Sequence, residues 1–88
     1  MAYKLHISKQ VVKFLDKTEQ KLRTKIIDTF ELLSEEPFTE RFDIKPLTNN
    51  KGHFRLRIGK YRFQYEIVEN ELFIYVYKAD SRGDVYKD

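Results

Sequence analysis

The sequence predicts an α+β domain: an N-terminal strand and a two-helix hairpin packed on one face of a mostly antiparallel four-stranded sheet. Three observations predict this class. Apolar residues alternate near the N terminus and again through residues 53–79, which is typical of half-buried strands. Between these stretches they recur every three or four residues, which is typical of amphipathic helices. A chain of 88 residues can build one core, so we expect a single domain over residues 1–88.

Local signals place the first strand and both helices. Residues 3–7 alternate between apolar and polar side chains and predict the strand. Ser8 is expected to cap a short first helix, and Thr18 to cap a second one. Because the residue before a proline is disfavoured in helical conformation, the second helix should end before Pro37. Its apolar residues recur at helical spacing: Leu22, Ile26, Ile27, Phe30 and Leu33.

Residues 37–52 form the longest segment that we expect to be irregular. They contain both prolines of the chain, Pro37 and Pro46, and two consecutive asparagines. Turn-forming residues at 49–52 are expected to deliver the chain into the central strand of the sheet.

Residues 53–65 predict a β-hairpin in which Gly59-Lys60 is the two-residue loop. This register places Arg57 directly opposite Arg62, on the face of the hairpin that points away from the core. Like charges in this arrangement destabilise a sheet by roughly 0.2 to 1 kcal/mol. No acidic residue lies within the hairpin to neutralise them. The register therefore indicates a surface that binds phosphate.

Two further strands are expected at residues 61–69 and 71–79, joined by a tight turn at Glu69-Asn70. In that register the buried pairs are Ile67 with Leu72, Tyr65 with Ile74, and Phe63 with Val76. The outer pairs are Arg62 with Tyr77 and Gln64 with Tyr75. The exposed face of the predicted sheet then carries a basic and aromatic set: Arg55, Arg57, Arg62, Gln64, Tyr75 and Tyr77.

Composition limits the chemistry of this face. The chain has no cysteine and only two histidines, which excludes thiolate chemistry and argues against a conventional metal site. The net charge of +3 is concentrated in residues 51–65, and Lys51 and Lys60 add cations to the predicted phosphate-binding surface. Guanidinium groups bind phosphate and aromatic rings stack on unpaired bases. The face therefore predicts single-stranded nucleic acid binding, with an acidic segment of another protein as the alternative ligand.

A longer pattern resembles the RelE branch of the RelE/ParE toxin superfamily. Residues 54–67 read F-R-x-R-x-G-x-Y-R-x-x-Y-x-I, and residues 78–86 read K-A-D-S-R-G-D-V-Y. The resemblance extends over nearly the whole chain. The hairpin is shared with non-catalytic relatives, whereas the terminal Arg82 and Tyr86 favour the catalytic branch.

The resemblance implies a metal-independent messenger RNA endoribonuclease that needs no cofactor and inhibits translation under stress. RelE-like toxins enter the ribosomal A site, where the 2′-hydroxyl of the codon attacks the adjacent phosphate and leaves a 2′,3′-cyclic phosphate. Carried over by position, Arg55 and Arg57 stand at the basic pair of the family, and Arg62 at the contact to the scissile phosphate. Arg82 would stabilise the developing charge or protonate the leaving oxygen, and Tyr86 would stack on a nucleotide.

The sequence does not assign the residue that accepts the proton. Some relatives have lysine in the basic pair, but Arg55 and Arg57 hold their protons too tightly to act as a base. Another branch of the family has a glutamate and a histidine where this chain has Lys45 and Ser81. His53 and Tyr86 are the alternatives, unless orientation and charge stabilisation suffice without a base.

The resemblance also implies partners. A RelB-like antitoxin would hold the toxin inactive, the ribosome and mRNA would be its targets, and operator DNA would be contacted only through the antitoxin complex. No membrane partner is expected, because no apolar run is long enough to span a bilayer, and the expected location is cytoplasmic. Two alternatives are a ParE-like toxin that binds gyrase and a non-catalytic module that binds only antitoxin or RNA.

Overall fold

A computed structural model describes residues 3–48 and 51–81 of the chain. The elements are β1 (Lys4–Ile7), α1 (Lys9–Asp16), α2 (Gln20–Glu35), β2 (Asp43–Pro46), β3 (His53–Ile58), β4 (Tyr61–Val68) and β5 (Phe73–Ser81). A 3-10 turn, Glu69–Glu71, separates the last two strands. The predicted α+β class, the N-terminal strand and the helix pair are confirmed, but the sheet has five strands instead of four. Neither helix is long and apolar enough to cross a membrane.

The sheet has the strand order β1-β5-β4-β3-β2. β1 runs parallel to β5, and every other neighbouring pair is antiparallel. The strand that was not predicted, β2, lies inside the segment expected to be irregular and pairs Ile44 with Leu56. Pro46 is tolerated as its last residue because an edge strand does not need every backbone N–H in the ladder.

The β3–β4 hairpin has the predicted loop and register. Gly59 has a φ of 59°, a conformation that glycine adopts without a steric penalty and that places it where a type II′ turn needs it. Leu56 faces Phe63 on the apolar side, and Arg57 faces Arg62 on the other side. Both pairs are those expected from the sequence.

The predicted β4–β5 register is wrong by two residues. Ile67 pairs with Ile74 instead of Leu72, and Tyr65 pairs with Val76 instead of Ile74. The physical reason is the connection, because the 3-10 turn ends at Leu72, which has a left-handed φ of 55°. This turn is longer than the predicted tight turn at Glu69-Asn70. Side chains alternate with a period of two, so a shift of two residues keeps Ile74 and Val76 buried. Leu72, which was expected to be buried, lies at the turn and is 47% exposed.

A β-bulge lies between Gln64 and Tyr65 of β4 and adds Tyr77 to the opposite strand. Beyond the bulge, the predicted partners Val76, Tyr75 and Tyr77 are replaced. The observed pairs are Phe63 with Ala79, Gln64 with Lys78 and Arg62 with Asp80. Ala79 is buried with 3% exposure. The extra residue therefore reverses the alternation of β5.

Helix α1 is fastened to this bulge by hydrogen bonds. The Gln10 amide donates to the Ala79 carbonyl at 3.0 Å and accepts from its N–H at 2.9 Å. The Ser8 hydroxyl donates to the Tyr77 carbonyl at 3.0 Å. These bonds satisfy backbone groups of β5 beyond Val76, where its pairing with β1 ends.

The helix boundaries agree with the sequence except at one cap. Ser8 caps α1 as predicted, accepting from the Val11 N–H at 3.3 Å, and α2 ends before Pro37. Thr18 does not cap α2, because its hydroxyl donates to the Phe14 carbonyl at 2.8 Å. The N-cap position belongs to Glu19, whose side chain makes no capping hydrogen bond.

Both helices cover the same face of the sheet, which we call the covered face. Phe63 lies at its centre, with the Phe30 ring at 5.1 Å and the Phe14 ring at 5.8 Å, both in edge-on geometry. Such contacts stabilise a core beyond the area they bury. The fully buried side chains come from helices and strands alike: Val11, Ile26, Phe30, Leu33, Leu56, Phe63, Tyr65, Ile74 and Val76.

Candidate nucleic-acid interface

The opposite side of the sheet, which we call the open face, has no helix packed on it in the described part of the chain. Strand register arranges its polar side chains in rows that run across the strands. The first row is Asp43, Arg57, Arg62 and Asp80, and the second row is Lys45, Arg55, Gln64 and Lys78. We call these eight residues the charged rows. Neighbouring rows lie about 6.6 Å apart along a strand.

An aspartate stands on each side of the arginine pair in the first row, which corrects the expectation that these arginines are uncompensated. Arg57 Nη2 lies 2.9 Å from Asp43 Oδ2, and Arg62 lies directly opposite Asp80. Asp43 was missed because it belongs to the strand that was not predicted. The Arg57 and Asp43 side chains are 46% and 41% exposed, so this ion pair stabilises the fold by less than about 1 kcal/mol. Phosphate can compete with such a weak, solvated contact.

The second row has the larger positive excess. Lys78 Nζ lies 3.8 Å from Asp80 Oδ2, whereas Arg55 and Lys45 form no ion pair among residues 3–48 and 51–81. Arg55 is half-buried and Lys45 is exposed. A bound phosphate would therefore gain two charges here without displacing a carboxylate.

Aromatic side chains and one carboxylate follow the charged rows along the sheet, in a group that we call the aromatic end: His6, His53, Glu66, Phe73, Tyr75 and Tyr77. The Tyr75 and Tyr77 ring centroids are 6.0 Å apart. His53 Nδ1 lies 2.9 Å from the Tyr77 hydroxyl, and its Nε2 lies 3.7 Å from Glu66 Oε2. These contacts hold the three side chains in one cluster.

The environment of Tyr77 favours the protonated form of its hydroxyl. Burial raises its pKa above the ordinary value, and the nearby Glu66 carboxylate raises it further. At neutral pH the ring is therefore an uncharged stacking surface with a polar edge.

The structure brings together six of the residues predicted from sequence and separates two others from them. Arg55, Arg57, Arg62, Gln64, Tyr75 and Tyr77 all lie on the open face. Lys60 lies at the hairpin loop, with Nζ 5.6 Å from the centre of the Tyr61 ring. Lys51 lines a hollow at the end of the sheet with Gly52 and Glu66. The predicted site residues Arg82 and Tyr86 lie outside the described residues.

Sequence reasoning missed the residues that complete the charged rows: Asp43, Lys45, Lys78 and Asp80. The alternation of Asp43, Ile44 and Lys45 was the available signal for the first two. Within the described ranges, no group of three histidine, aspartate or glutamate side chains is placed to hold a metal ion.

Comparisons with known proteins place this fold. No family profile matches the chain. RelE1 of Methanocaldococcus jannaschii, which is named as a candidate toxin, is 33% identical over 89 residues, with 100% of this chain and 99% of RelE1 covered.

Solved structures agree with the sequence relative. The archaeal RelE–RelB complex from Pyrococcus horikoshii OT3 matches with a TM-score of 0.83 and 30% identity, covering 94% of this chain and 98% of that one. The toxin–antitoxin complex RelBE2 of Mycobacterium tuberculosis matches with a TM-score of 0.74 and 26% identity, covering 93% and 100%. With a full-length relative, a shared fold and the arginine-rich hairpin on the open face, this chain belongs to the RelE family of toxins.

Proposed function

We propose that this chain is the toxin of a toxin–antitoxin pair and acts as an endoribonuclease on messenger RNA in the ribosomal A site. Family membership supports the toxin role. The observation that carries the nuclease role is the convergence of Arg55, Arg57 and Arg62 on one open face of the sheet. Its site of action, the ribosome, would place it in the cytoplasm.

The charged rows suit the charge changes of RNA cleavage. Residues directly opposite each other in an antiparallel pair have Cα atoms about 4.5 to 5.5 Å apart, so Arg57 and Arg62 can contact the same phosphate. The 2′-oxygen forms a bond to phosphorus while the bond to the 5′-oxygen breaks, and negative charge builds on the phosphoryl oxygens. Guanidinium donors already in position stabilise that charge without reorganisation.

The reaction requires two proton transfers, one at the attacking 2′-oxygen and one at the departing 5′-oxygen. The 2′-hydroxyl loses its proton as it attacks, and the departing 5′-oxygen gains one. Arginine is a poor proton acceptor at neutral pH, so the role of Arg55 and Arg57 is to bind and orient the RNA. In this proposal Arg82 supplies charge or a proton at the leaving oxygen, and Tyr86 stacks on a nucleotide.

A RelB-like antitoxin is the proposed protein partner. The matching structures from Pyrococcus horikoshii and Mycobacterium tuberculosis are toxin–antitoxin complexes, which supports a partner of the same kind. Its binding would keep the toxin from the ribosome, and contact with operator DNA would pass through the antitoxin. Coexpression with the antitoxin should restore the growth that the toxin alone suppresses.

The decisive experiment is primer extension on messenger RNA bound to ribosomes that have been treated with the purified chain. We expect cleavage within the A-site codon, and a loss of about 10²- to 10³-fold in rate for Arg62→Ala and for Arg82→Ala. Lys21→Ala is the matched control, because it removes one cation from the exposed side of α2. Full activity in both arginine variants, or poisoning of purified gyrase without codon cleavage, would overturn the proposal.

A further inference from the structure

The aromatic end of the open face contains side-chain contacts between His53, Tyr77 and Glu66 that the fold does not require. β4 lies between β3 and β5, so the Tyr77 ring must cross β4 for its hydroxyl to reach His53 at 2.9 Å. Tyr77 has this reach because the bulge inserts it as an extra residue in β5. Bulges commonly re-aim a side chain next to a functional site.

Aromatic rings on this face are also accessible. Tyr75 is 37% exposed, and its ring centroid lies 6.0 Å from that of Tyr77 with 38° between the planes. The two rings therefore form an angled surface and not a closed stack. At the same level of the sheet, the Glu66 side chain is 39% exposed, so its carboxylate stays reachable by a ligand.

The surroundings select nucleic acid as the occupant. Six lysine and arginine side chains and three aspartate and glutamate side chains point outward from the paired positions of the five strands. The net positive charge complements a polyanion. One row spacing of about 6.6 Å separates Arg55 of the charged rows from His53 of the aromatic end. An extended strand can place a phosphate on the first and the attached base on the second.

We propose that the aromatic end is a nucleobase subsite that holds an unpaired guanine next to the phosphate bound by the charged rows. Tyr75 and Tyr77 stack on the base, His53 fixes the position of Tyr77, and Glu66 reads the edge of the base. This inference rests on the proposed action of the chain on RNA and extends it to base selectivity.

Guanine follows from the chemistry of a carboxylate. Guanine presents two adjacent donors, N1–H and the exocyclic N2 amino group, which both oxygens of Glu66 can accept. Adenine and cytosine each place a ring-nitrogen acceptor beside their amino group, and uracil flanks its single N–H with two carbonyl oxygens. These acceptors would face the carboxylate and repel it. Unpaired bases are commonly read in this way, on aromatic platforms and by their Watson–Crick edges.

Short RNA probes without a ribosome test the subsite directly. Fluorescence anisotropy would compare the intact chain on hexauridylates that carry one central guanosine, inosine or adenosine. Inosine keeps N1–H and lacks only the N2 amino group. We expect guanosine to bind about tenfold more tightly than adenosine, with inosine between them. Equal affinity for the three probes would overturn the proposal.

Variants assign the roles within the subsite. Glu66→Gln should remove most of the preference for guanosine over inosine, because the neutral amide accepts with only one atom. Tyr75→Ala should weaken binding of all three probes by about tenfold without changing their ratio. Tyr77→Phe keeps the ring but loses the hydroxyl that contacts His53, so it should weaken binding of all three probes less than Tyr75→Ala does. Lys21→Ala, on the exposed side of α2, is the control and should bind all three probes as the intact chain does. An unchanged guanosine-to-inosine ratio in Glu66→Gln would exclude the carboxylate as the reader.

The same variants separate this inference from the nuclease proposal and from a protein-binding role. If Arg62→Ala abolishes ribosomal cleavage while Glu66→Gln leaves every RNA ratio unchanged, the subsite fails and the nuclease proposal stands. If base discrimination is present but ribosomes are never cleaved, the nuclease proposal fails. If Tyr75→Ala weakens only the complex with the antitoxin, the aromatic end is a protein interface and the inference is overturned.

Discussion

The two faces of this sheet differ in the polarity and the exposure of their side chains. The covered face pairs apolar side chains across every strand, and its central residues have no solvent exposure. The open face places Arg57 opposite Arg62 and leaves Tyr75 accessible. The first arrangement lowers the free energy of the folded state, whereas the second contains a like-charge pair that weakens the sheet.

This difference distinguishes the residues that stabilise the fold from the residues that are available to bind a ligand. Asp43 and Asp80 flank the arginine pair and moderate its repulsion, but they do so through exposed contacts of small net value. Substitutions on the covered face should therefore change stability, whereas substitutions on the open face should change RNA binding.

The largest effect is expected at the centre of the covered face. Phe63→Ala removes a ring that contacts Phe14 and Phe30 and should lower the free energy of unfolding by about 3 to 5 kcal/mol. Its neighbour Gln64, on the open face, is the matched control, and Gln64→Ala should change stability by about 0.5 kcal/mol or less. Urea denaturation measures both. Comparable losses in the two variants would contradict the distinction between the faces.

A smaller loss of stability is expected where α1 meets the bulge. Gln10→Ala removes both hydrogen bonds to the Ala79 backbone and should cost about 1 to 2 kcal/mol. Amide hydrogen exchange would show where the loss acts, because the Ala79 N–H should lose protection before the amides of β3. Unchanged protection at Ala79 would show that the bulge holds without its helix contact.

Alkaline pH should destabilise the fold through its buried phenols. Burial raises the pKa of Tyr65, so the folded state keeps a proton that the unfolded state releases near pH 10. The stability tied to this proton is complete below about pH 10 and falls as pH rises above it. By linkage, the free energy of unfolding should fall between pH 10 and 11 by about 1 kcal/mol less in Tyr65→Phe than in the wild type. Urea melts at both pH values would measure this, and parallel losses would contradict it.

The smallest change in stability is expected on the open face. Asp43→Asn removes the carboxylate beside Arg57 and should alter the free energy of unfolding by less than about 1 kcal/mol. It should nevertheless raise affinity for hexauridylate and steepen its salt dependence, by about 0.7 in the logarithmic slope for each added phosphate contact. Anisotropy titrations at several salt concentrations test this. An unchanged slope would mean that Arg57 does not contact phosphate.

Sequence reasoning succeeded where local chemistry determines geometry. A glycine-first two-residue loop permits one register, so the Gly59-Lys60 hairpin and the pairing of Arg57 with Arg62 followed directly. Periodicity also identified the buried side of β3, of β4 and of β5 as far as Val76, because a shift of two residues does not exchange the faces. The open face could thus be predicted even though the β4–β5 register could not.

The missed features depend on tertiary context. Leu72 adopts a left-handed conformation that its residue type does not favour, so the longer turn had no local signal. The bulge did leave a signal, because simple alternation after Val76 would bury the charged Lys78. Strand β2 has four residues and is stabilised by pairing along the edge of β3. Its alternation of Asp43, Ile44 and Lys45 is a weak signal, because three residues are too few to distinguish a strand from an irregular segment.

The position of β5 has a consequence for how the protein is made. β5 lies between β1 and β4 and is the only described strand that pairs with β1. Residues near the two ends of the chain, such as Leu5 and Ile74, must therefore meet before the sheet is complete. A nascent chain that has not yet released residues 73–81 from the ribosomal tunnel cannot assemble this sheet. The open face thus forms only after residues 73–81 have left the tunnel, because β5 supplies Tyr75, Tyr77 and Lys78 to it.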